Sequence, residues 1–469
     1  MLMSDWKINT DLEKAGLKVV KLLKASNYQA FWVGGIVRNN LLKRKSDNID
    51  IATDATPDQV EKILLKQKIK IKPVGKQFGS ILAILNIFPI EITTFRSESC
   101  YSDNRHPDQV EFIKDYLNDA KRRDFTINAL YFDPVTKELF DPTGGIKDLK
   151  DKLLRFIGDP KKRIDEDALR MLRGVRFATQ LGFSAVGGPA SGWKFEKNSF
   201  AAIKTRAKYI QQISGERVKA ELDKILLSEK RVGGLILLDK SGLLKFIVPQ
   251  IERIKNFSHK SKLYHLEGTI FDHTLLALSK AKNEGLDMLY AILFHDIGKP
   301  ETGKKVLKEE GWVISTKGHA QASADIFIRF AKKLRFPRIN TYRIEWLIRN
   351  HMHMVDFATM NVSKQLDLAN NPAFGLLLKH WQYDEIATKR KNYLDDHHKK
   401  FLKSLRAGKK LLKIFLQKKK LIAKYAKGAV VMRVKKLEPG PKVGEMVNKV
   451  IVGIVLGKIK NERDLKRYL

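Results

Sequence analysis

The pattern of apolar residues changes near residue 160, and this change limits the folds open to the chain. Before it, short β-branched runs such as 31–33 and 81–92 alternate with amphipathic segments such as 11–26 and 58–70. Beyond it, helical periodicity dominates. Because the 469 residues amount to about three average domains, we expect an α+β first part followed by mostly helical domains.

The charge and the cysteine content exclude several classes of protein. Lys and Arg number 89 against 52 Asp and Glu, so the net charge is +37. This excess predicts a polyanionic partner, although a host with generally basic proteins is the alternative. The single cysteine, Cys100, excludes a disulfide framework and a cysteine-based zinc site. We expect a cytoplasmic protein with no membrane association, because the N-terminus does not resemble a signal peptide and no apolar run reaches about 18 residues.

A glycine turn and a group of polar residues follow the first strands. Gly34 and Gly35 would let backbone N–H groups approach a phosphate, and Arg38 could clamp a triphosphate. Asn48 and Asp50 lie two apart and would share one face of a strand.

Oxygens placed in this way can hold Mg²⁺ between a nucleophile and a triphosphate. Asp47 lies one residue off that face, and Glu91 on a later apolar strand could complete the site. The alternative is an acidic strand end that binds no metal.

The segment KRRDFTINAL (121–130) combines charge with a core pattern. Arg122 and Arg123 adjoin Asp124, whereas Phe125 and the apolar residues after it are typical of a buried segment. A solvated charge run does not normally lie inside a core segment, so these arginines indicate a site.

Together these segments resemble a known family. The motifs occur in order at family-like spacing: GGIVRN, NIDIATDATP, FGSI (78–81), EITTFR (91–96), KRRDFTINAL, EDALRMLRGVRF (166–177) and GERVKAEL (215–222). They are similar to those of the class II nucleotidyltransferases, the bacterial-type CCA-adding enzymes and their poly(A) polymerase relatives. The resemblance covers residues 25 to 230 and implies a polymerase-β-like nucleotidyltransferase head with a mixed sheet.

The resemblance also implies roles for single residues. Gly34, Gly35, Arg38 and Arg123 match residues that contact the nucleotide. The family's Asp-x-Asp metal pair matches Asn48 and Asp50, so this chain departs from the pattern at the first position. An amide oxygen is neutral, so we expect weaker Mg²⁺ binding there, with Asp47 or Glu91 compensating.

The EDALR motif predicts how a base could be selected. If Asp167 and Arg170 share a helical face, they present an acceptor beside donors. Cytosine and adenine both present an amino donor beside a ring-nitrogen acceptor, whereas G and U do not. Such an edge would select CTP and ATP, with Arg173 and Arg176 contacting the base or phosphates. The alternative is an ordinary salt bridge on a helix.

Histidines cluster in the middle of the chain. His295 and Asp296 end an apolar segment in FHDIGKP, with His273 before them and His319 in GHAQASA after them. The arrangement resembles an HD domain over about 265–360, the metal-dependent phosphohydrolase module that some CCA-adding enzymes carry. A second divalent transition metal could bind these four residues, or the module could be purely structural.

The last segment is basic and favours RNA over a membrane as its partner. The predicted organisation is a head (1–160), a helical neck with the nucleotide-selecting motif (161–235), a helical body with the HD module (236–400) and a basic, tRNA-binding tail (401–469). The predicted function is template-independent addition of C and A from CTP and ATP to a tRNA 3′ end. The alternatives are a poly(A) polymerase or A-adding enzyme, an HD-type phosphohydrolase with an impaired head, and a non-catalytic RNA-binding protein. The oligomeric state is not predicted.

Overall fold

The structure is a computed structural model that describes residues 6–72, 75–99, 109–183, 192–257, 266–308, 311–390 and 396–469. Cys100 lies outside the described residues. The chain divides into two compact units, Met1–Ile247 and Val248–Leu469.

The first unit begins with a mixed sheet and ends in helices. Its strands are β1 (Ala30–Val33), β2 (Ile49–Thr53), β3 (Lys70–Lys72), β4 (Ser80–Leu85), β5 (Phe88–Thr94), β6 (Arg96–Ser99), β7 (Gln109–Phe112), β8 (Tyr131–Asp133), β9 (Glu138–Phe140), β10 (Leu153–Leu154) and β11 (Lys194–Phe195). Its α-helices are α1 (Asp11–Ala25), α2 (Gly35–Leu41), α3 (Pro57–Lys66), α4 (Tyr116–Lys121), α5 (Gly145–Lys150), α6 (Pro160–Glu166), α7 (Leu169–Leu181), α8 (Lys197–Arg206), α9 (Gly215–Leu227), α10 (Arg231–Lys240) and α11 (Leu244–Ile247). Short 3₁₀ helices cover Lys76–Phe78, Thr126–Asn128 and Ala207–Gln212.

Seven strands form the main sheet in the order β3-β4-β5-β2-β1-β8-β9. β2 and β5 run parallel, and the other neighbouring pairs are antiparallel. The predicted strand-like segment 81–92 is a hairpin of β4 and β5, in which Asn86 takes a left-handed φ of 55° at the turn. The parallel register sets Asp50 of β2 beside Glu91 of β5.

Helix α1 shows how the sequence directs this packing. Thr10 and Glu13 form a capping box at its N-terminus. Its buried residues recur at helical spacing on one face, including Leu12, Val19 and Leu23. Because that face is apolar and the opposite one is rich in lysine, the helix can lie only with its apolar side on the core.

The second unit is mostly helical. Its α-helices are α12 (Ile251–Asn256), α13 (Ile270–Lys280), α14 (Leu286–Phe294), α15 (Lys299–Thr302), α16 (His319–Lys333), α17 (Arg338–Asn350), α18 (Val362–Asn370), α19 (Phe374–Ala387), α20 (Asp396–Tyr425), α21 (Gly428–Lys435), α22 (Pro441–Val455) and α23 (Glu462–Tyr468). Strands β12 (Lys304–Lys308) and β13 (Gly311–Ser315) form a hairpin, and 3₁₀ helices cover His351–Met354 and Phe357–Thr359.

The basic end of the chain has a small core of its own. Tyr425, Val431, Val450, Ile454 and Leu465 are buried together. Most lysines of α20, by contrast, are exposed or half-buried.

The element order of the two units confirms the predicted fold class, a mixed-sheet head followed by helical parts. Among the described residues, we find no helix with the length and apolarity needed to cross a bilayer.

Candidate functional site

A single cavity of about 970 Å³ in the first unit gathers the polar residues that the sequence singled out. All of the predicted catalytic and nucleotide-binding residues line it: Gly34, Gly35, Arg38, Asn48, Asp50, Glu91, Arg123, Asp167, Arg170, Arg173 and Arg176. Nine arginine or lysine side chains line the wall against five carboxylates. The cavity therefore suits a polyanion such as a triphosphate, provided that the carboxylates face a cation.

Asp50 and Glu91 form the acidic end of the cavity. They lie side by side on the parallel strands β2 and β5. Burial, followed by the like charge of Glu91, raises the pKa of Asp50 to about 6, although Arg123 opposes this shift. Two adjacent carboxylates at the end of a cavity fit a divalent cation, because the cation would offset the repulsion between them.

Asn48 differs from the prediction. Strand β2 begins at Ile49, so Asn48 precedes the strand instead of sharing a face with Asp50. Its amide Nδ2 donates a hydrogen bond to Oδ1 of Asp50 at 3.1 Å. The amide supports the carboxylate in this orientation, and only the opposite orientation would present its oxygen to a metal.

The glycine turn and Arg38 belong to a connected polar chain. Gly34 has a φ of 71°, and a Cβ added there would lie 3.5 Å from Oδ2 of Asp50. Nη1 of Arg38 donates to Oδ1 of Asn128 at 2.7 Å, and Nδ2 of Asn128 donates to Oδ1 of Asp124 at 3.2 Å.

Asp124 in turn receives Nε and Nη2 of Arg173 on Oδ2, at 2.9 and 2.7 Å. This series of hydrogen bonds therefore fixes Arg38 and Arg173 at opposite ends of one buried network. Asn128 was not predicted as a site residue, because an asparagine in a core segment carries no signal of its own.

Asp119 is a second residue that the sequence analysis missed. Fully buried, it accepts from Nε of Arg122 at 2.8 Å, from Nη2 of Arg123 at 3.0 Å and from the Tyr131 hydroxyl at 2.6 Å. Burial alone would raise the pKa of Asp119, but Arg123 and Arg122 outweigh it and lower the pKa to about 2. Asp119 therefore stays ionised and orients both arginines on the cavity wall.

The predicted helical face that joins Asp167 and Arg170 is wrong. Asp167 has extended backbone angles (φ −147°, ψ 102°) between α6 and α7, where its Oδ1 accepts from the N–H of Leu169. Its Oδ2 accepts from Nη2 of Arg217 at 2.8 Å, and Arg170 pairs with Glu166. The contact with Leu169 favours the extended backbone at Asp167 over a continued α6, because the side chain satisfies an N–H at the start of α7 that has no intrahelical partner. Both side chains nevertheless face the cavity.

A second polar cluster lies buried in the other unit. His273 of α13, His295 and Asp296 after α14, and His319 at the start of α16 come together there. His351 and Asp384 complete the cluster, although the sequence analysis did not place them in the metal site. Nε2 of His295 is buried with no hydrogen-bond partner among the described residues, which suits a metal ligand.

The electrostatics of this cluster also call for a cation. Burial disfavours a charge on His295, but Asp296 and Asp384 outweigh it and raise the pKa of His295 to about 10. Lys299 already contacts Asp296, at 2.6 Å from Nζ to Oδ2. Imidazole and carboxylate ligands of this kind suit a divalent transition metal.

Comparison with known proteins matches three family profiles to successive parts of the chain. The profile of the Poly A polymerase head domain matches residues 30–155. The profile described as the probable RNA and SrmB-binding site of polymerase A matches 192–255, and the HD domain profile matches 264–421. A CCA-adding enzyme from Bacillus pumilus is 36% identical over 301 residues, which is 64% of this chain and 67% of that enzyme. The chain belongs to the CCA-adding enzyme family.

Other members of the CCA-adding enzyme family match a shorter stretch. The CCA-adding enzyme of Enterococcus faecalis is 41% identical over 222 residues, or 47% of this chain and 51% of that enzyme. That of Levilactobacillus brevis is 40% identical over 230 residues, 49% of this chain and 54% of that enzyme. The chain therefore spans about half the length of these relatives.

Solved structures of CCA-adding enzymes share the fold over a longer range. A Bacillus stearothermophilus CCA-adding enzyme in complex with CTP has a TM-score of 0.64 and 23% identity, with 97% of this chain and 96% of that chain covered. A Thermotoga maritima CCA-adding enzyme complexed with tRNA has a TM-score of 0.57 and 17% identity, with 98% and 95% covered.

Proposed function

We propose that this member of the family is a template-independent CCA tRNA nucleotidyltransferase that adds C and A from CTP and ATP. One observation carries the proposal: the residues assigned to the nucleotide and to Mg²⁺ line a single cavity, with an acidic pair at one end and an arginine-rich wall. The relatives named as CCA-adding enzymes support it.

The acidic end of the cavity would hold Mg²⁺. Asp50 and Glu91 would supply charged oxygens, with Asn48 either supporting Asp50 or turning its amide oxygen inward. The chemistry that Mg²⁺ held by these residues would supply is a lower pKa of the attacking hydroxyl and neutralisation of the charge that develops on the phosphates.

The arginine-rich wall would hold the triphosphate. Gly34 and Gly35 let the chain approach the phosphates closely, and Arg38 and Arg123 donate to their oxygens. The tRNA 3′-hydroxyl then attacks the α-phosphorus in line, and the bond to the bridging oxygen breaks as pyrophosphate leaves.

Asp167 and Arg170 would read the base. Asp167 accepts from the amino group, and Arg170 donates to the ring nitrogen, a pattern that cytosine and adenine share. Arg217 keeps Asp167 in place through the 2.8 Å contact of Nη2 with Oδ2. Arg217 would therefore have a positioning role.

The basic segment 401–469 would bind the tRNA backbone. Its exposed lysines neutralise phosphates without reading the sequence, so binding should weaken as salt rises.

The test is incubation of the chain with a tRNA that lacks its 3′ end, together with CTP, ATP and Mg²⁺. We expect ordered addition of C, C and A, read from the sequence of the product. Addition of A alone would identify a poly(A) polymerase or an A-adding enzyme. No addition by the native chain, with activity gained by Asn48→Asp, would identify an impaired head.

The buried histidine cluster supports a second activity. His273, His295, Asp296 and His319 would hold a divalent transition metal, and the cluster with its metal would act on phosphomonoesters or 2′,3′-cyclic phosphates. Replacing His295 and Asp296 with alanine should abolish any such hydrolysis while nucleotide addition survives. Loss of both activities would contradict the assignment to separate sites.

A further inference from the structure

We propose that Phe177 is a positioning residue for the incoming nucleotide, because its ring holds the guanidinium groups of Arg38 and Arg176 on the cavity wall by cation–π contact. Phe177 lies on α7, is 7% exposed and is the one aromatic side chain among the described residues that line the cavity. This inference deepens the nucleotide-binding role proposed above for the two arginines and rests on it.

The ring of Phe177 lies close to both cations. The Cζ atom of Arg176 is 3.9 Å from the ring centroid, and that of Arg38 is 5.1 Å from it. Both distances fall within the ~6 Å over which the negative face of an aromatic ring attracts a cation. Phe125 packs against Phe177 edge to face, at 5.8 Å between centroids and 80° between planes. Core packing therefore fixes the ring, and the ring in turn fixes the two cations.

Arg38 depends on the ring because its hydrogen-bond partners are neutral. Nη1 donates to Oδ1 of Asn128 at 2.7 Å, and Nε and Nη2 donate to Oδ1 of Asn39 at 3.1 and 2.9 Å. Among the described residues, no carboxylate lies within ion-pair distance of this buried guanidinium. Burial, followed by the positive charge of Arg176, lowers the pKa of Arg38 to about 10, although Asp124 opposes this shift. A buried cation with so little compensating charge gains most from a nearby π-face.

Arg176 keeps part of its guanidinium available to a ligand. Its Nε pairs with Glu221 of α9, and its Nη1 donates to Oε1 of Gln180 at 3.2 Å. Its Nη2 has no hydrogen-bond partner in the part of the chain that the structure describes. Arg38 likewise uses only three of its five N–H groups in the contacts above. The ring therefore brings two guanidinium groups with remaining donors to one cavity wall, where both can meet phosphate oxygens.

An aromatic ring suits this wall better than a carboxylate would. Arg38 and Arg176 repel each other, so a nearby group must stabilise them before the nucleotide binds. A carboxylate would also repel the triphosphate and would compete with it for the N–H donors. The ring carries no net charge and stabilises the cations through its quadrupole. Phe177 therefore holds both arginines in place in advance, and donors arranged in advance lose less free energy on binding.

The experiment measures binding of inorganic tripolyphosphate to the full chain by calorimetry, since this ligand has no base to be read. Phe177→Leu should raise the Kd by about tenfold, and it should raise the KM for CTP and for ATP alike. Replacing Phe177 with mono-, di- and trifluorophenylalanine keeps the shape of the ring but withdraws negative charge from its face. The Kd should therefore rise stepwise along this series.

Phe156→Leu is the matched control. Phe156 is also a buried ring, stacked on Phe125 at 4.6 Å between centroids, but it lies outside the cavity. Its replacement should lower the melting temperature, because a core contact is lost, and should leave the Kd for tripolyphosphate unchanged.

The fluorinated series separates the cation–π contact from core packing. A level Kd along the series would overturn the proposal even if Phe177→Leu weakens binding, since packing alone would explain that loss. An equal rise in Phe156→Leu, or no binding of tripolyphosphate by the native chain, would also overturn it. A stepwise series in a chain that adds no nucleotide to tRNA would support the positioning role and contradict the proposed function. If Phe177→Leu fails to fold by circular dichroism, the fluorinated series still decides.

Discussion

Replacing Asp50 with asparagine should stabilise the metal-free protein while abolishing nucleotide addition. In the folded chain the pKa of Asp50 is about 6 against 3.8 for the free side chain, first because of burial and then because of Glu91. A raised pKa means that the folded chain binds the proton more tightly than the unfolded chain. Stability is therefore lost as the pH rises from 3.8 to about 6, and the loss persists above that range.

The magnitude follows from this shift. A difference of two pKa units corresponds to about 3 kcal/mol. Asp50 borders an open cavity, so water screens part of the repulsion, and we expect a gain of about 1–2 kcal/mol in the free energy of unfolding at pH 7.5. Loss of the charged ligand should lower kcat by at least ~100-fold, because a metal contributes several kcal/mol to the transition state.

The assay is calorimetric unfolding in EDTA at several pH values from 4 to 7.5, beside nucleotide addition with Mg²⁺. Asp151→Asn is the matched control, since Asp151 is an exposed carboxylate outside the cavity. The reasoning is refuted if Asp50→Asn destabilises the chain, or if its gain does not grow with pH. An equal gain in Asp151→Asn would also refute it.

Three further predictions test the cavity of the first unit and the histidine cluster of the second. Asn48→Asp should lower the Mg²⁺ concentration that gives half-maximal nucleotide addition by about tenfold, because it adds a charged ligand. An unchanged Mg²⁺ titration would show that Asp50 and Glu91 suffice to bind the ion. Asp119→Asn should raise the KM for CTP more than it lowers kcat, because Arg123 loses its buried partner. The same loss should lower the free energy of unfolding by about 3 kcal/mol. A fall in kcat alone would contradict a positioning role for Asp119. Dialysis against EDTA should lower the melting temperature of the second unit, and added Mn²⁺ should restore it; an unchanged melting temperature would argue against a metal in the histidine cluster.

The sequence was most informative where chemistry is concentrated in short segments. Charged residues interrupt apolar segments after the glycine turn, at Asp50 and in 121–130. This made the residues there predictable as site residues. The pairing of Asp50 with Glu91 was suggested but could not be derived, because the parallel register of β2 and β5 depends on the whole sheet.

Other site residues carried no local signal. Asp119 looks like part of a surface i, i+4 pair, and only the fold shows that it is buried under Arg123 and Tyr131. Asp384 lies far along the chain from His295, and nothing in its own segment marks it as a partner. Helical periodicity was also insufficient at Asp167, where α6 ends and the side chain accepts from the N–H of Leu169.

The position of Asp167 between two helices leads to a last prediction, which rests on the proposed function. An aspartate in an extended linker is less constrained than one on a helix, so the base-reading geometry depends on the contact from Arg217. Removing that contact with Arg217→Gln should leave Asp167 charged but mobile. One charge-assisted hydrogen bond is worth about 1.5–3 kcal/mol, so the preference for CTP over UTP should fall by roughly tenfold or more.

Arg206→Gln is the matched control for this change. Arg206 donates to Asp165 from Nε and Nη2, at 2.6 Å to Oδ1 and 2.9 Å to Oδ2. Asp165 lies two residues before Asp167, and neither Arg206 nor Asp165 lines the cavity. The measurement is kcat/KM for CTP and UTP on a tRNA that lacks its 3′ end. If selectivity falls equally in both variants, general loosening of α6 explains it; if it falls in neither, Arg217 does not position the base-reading carboxylate. A selective loss in Arg217→Gln would show that base choice in this chain depends on an ion pair between the α6–α7 linker and α9, and not on the spacing within one helix.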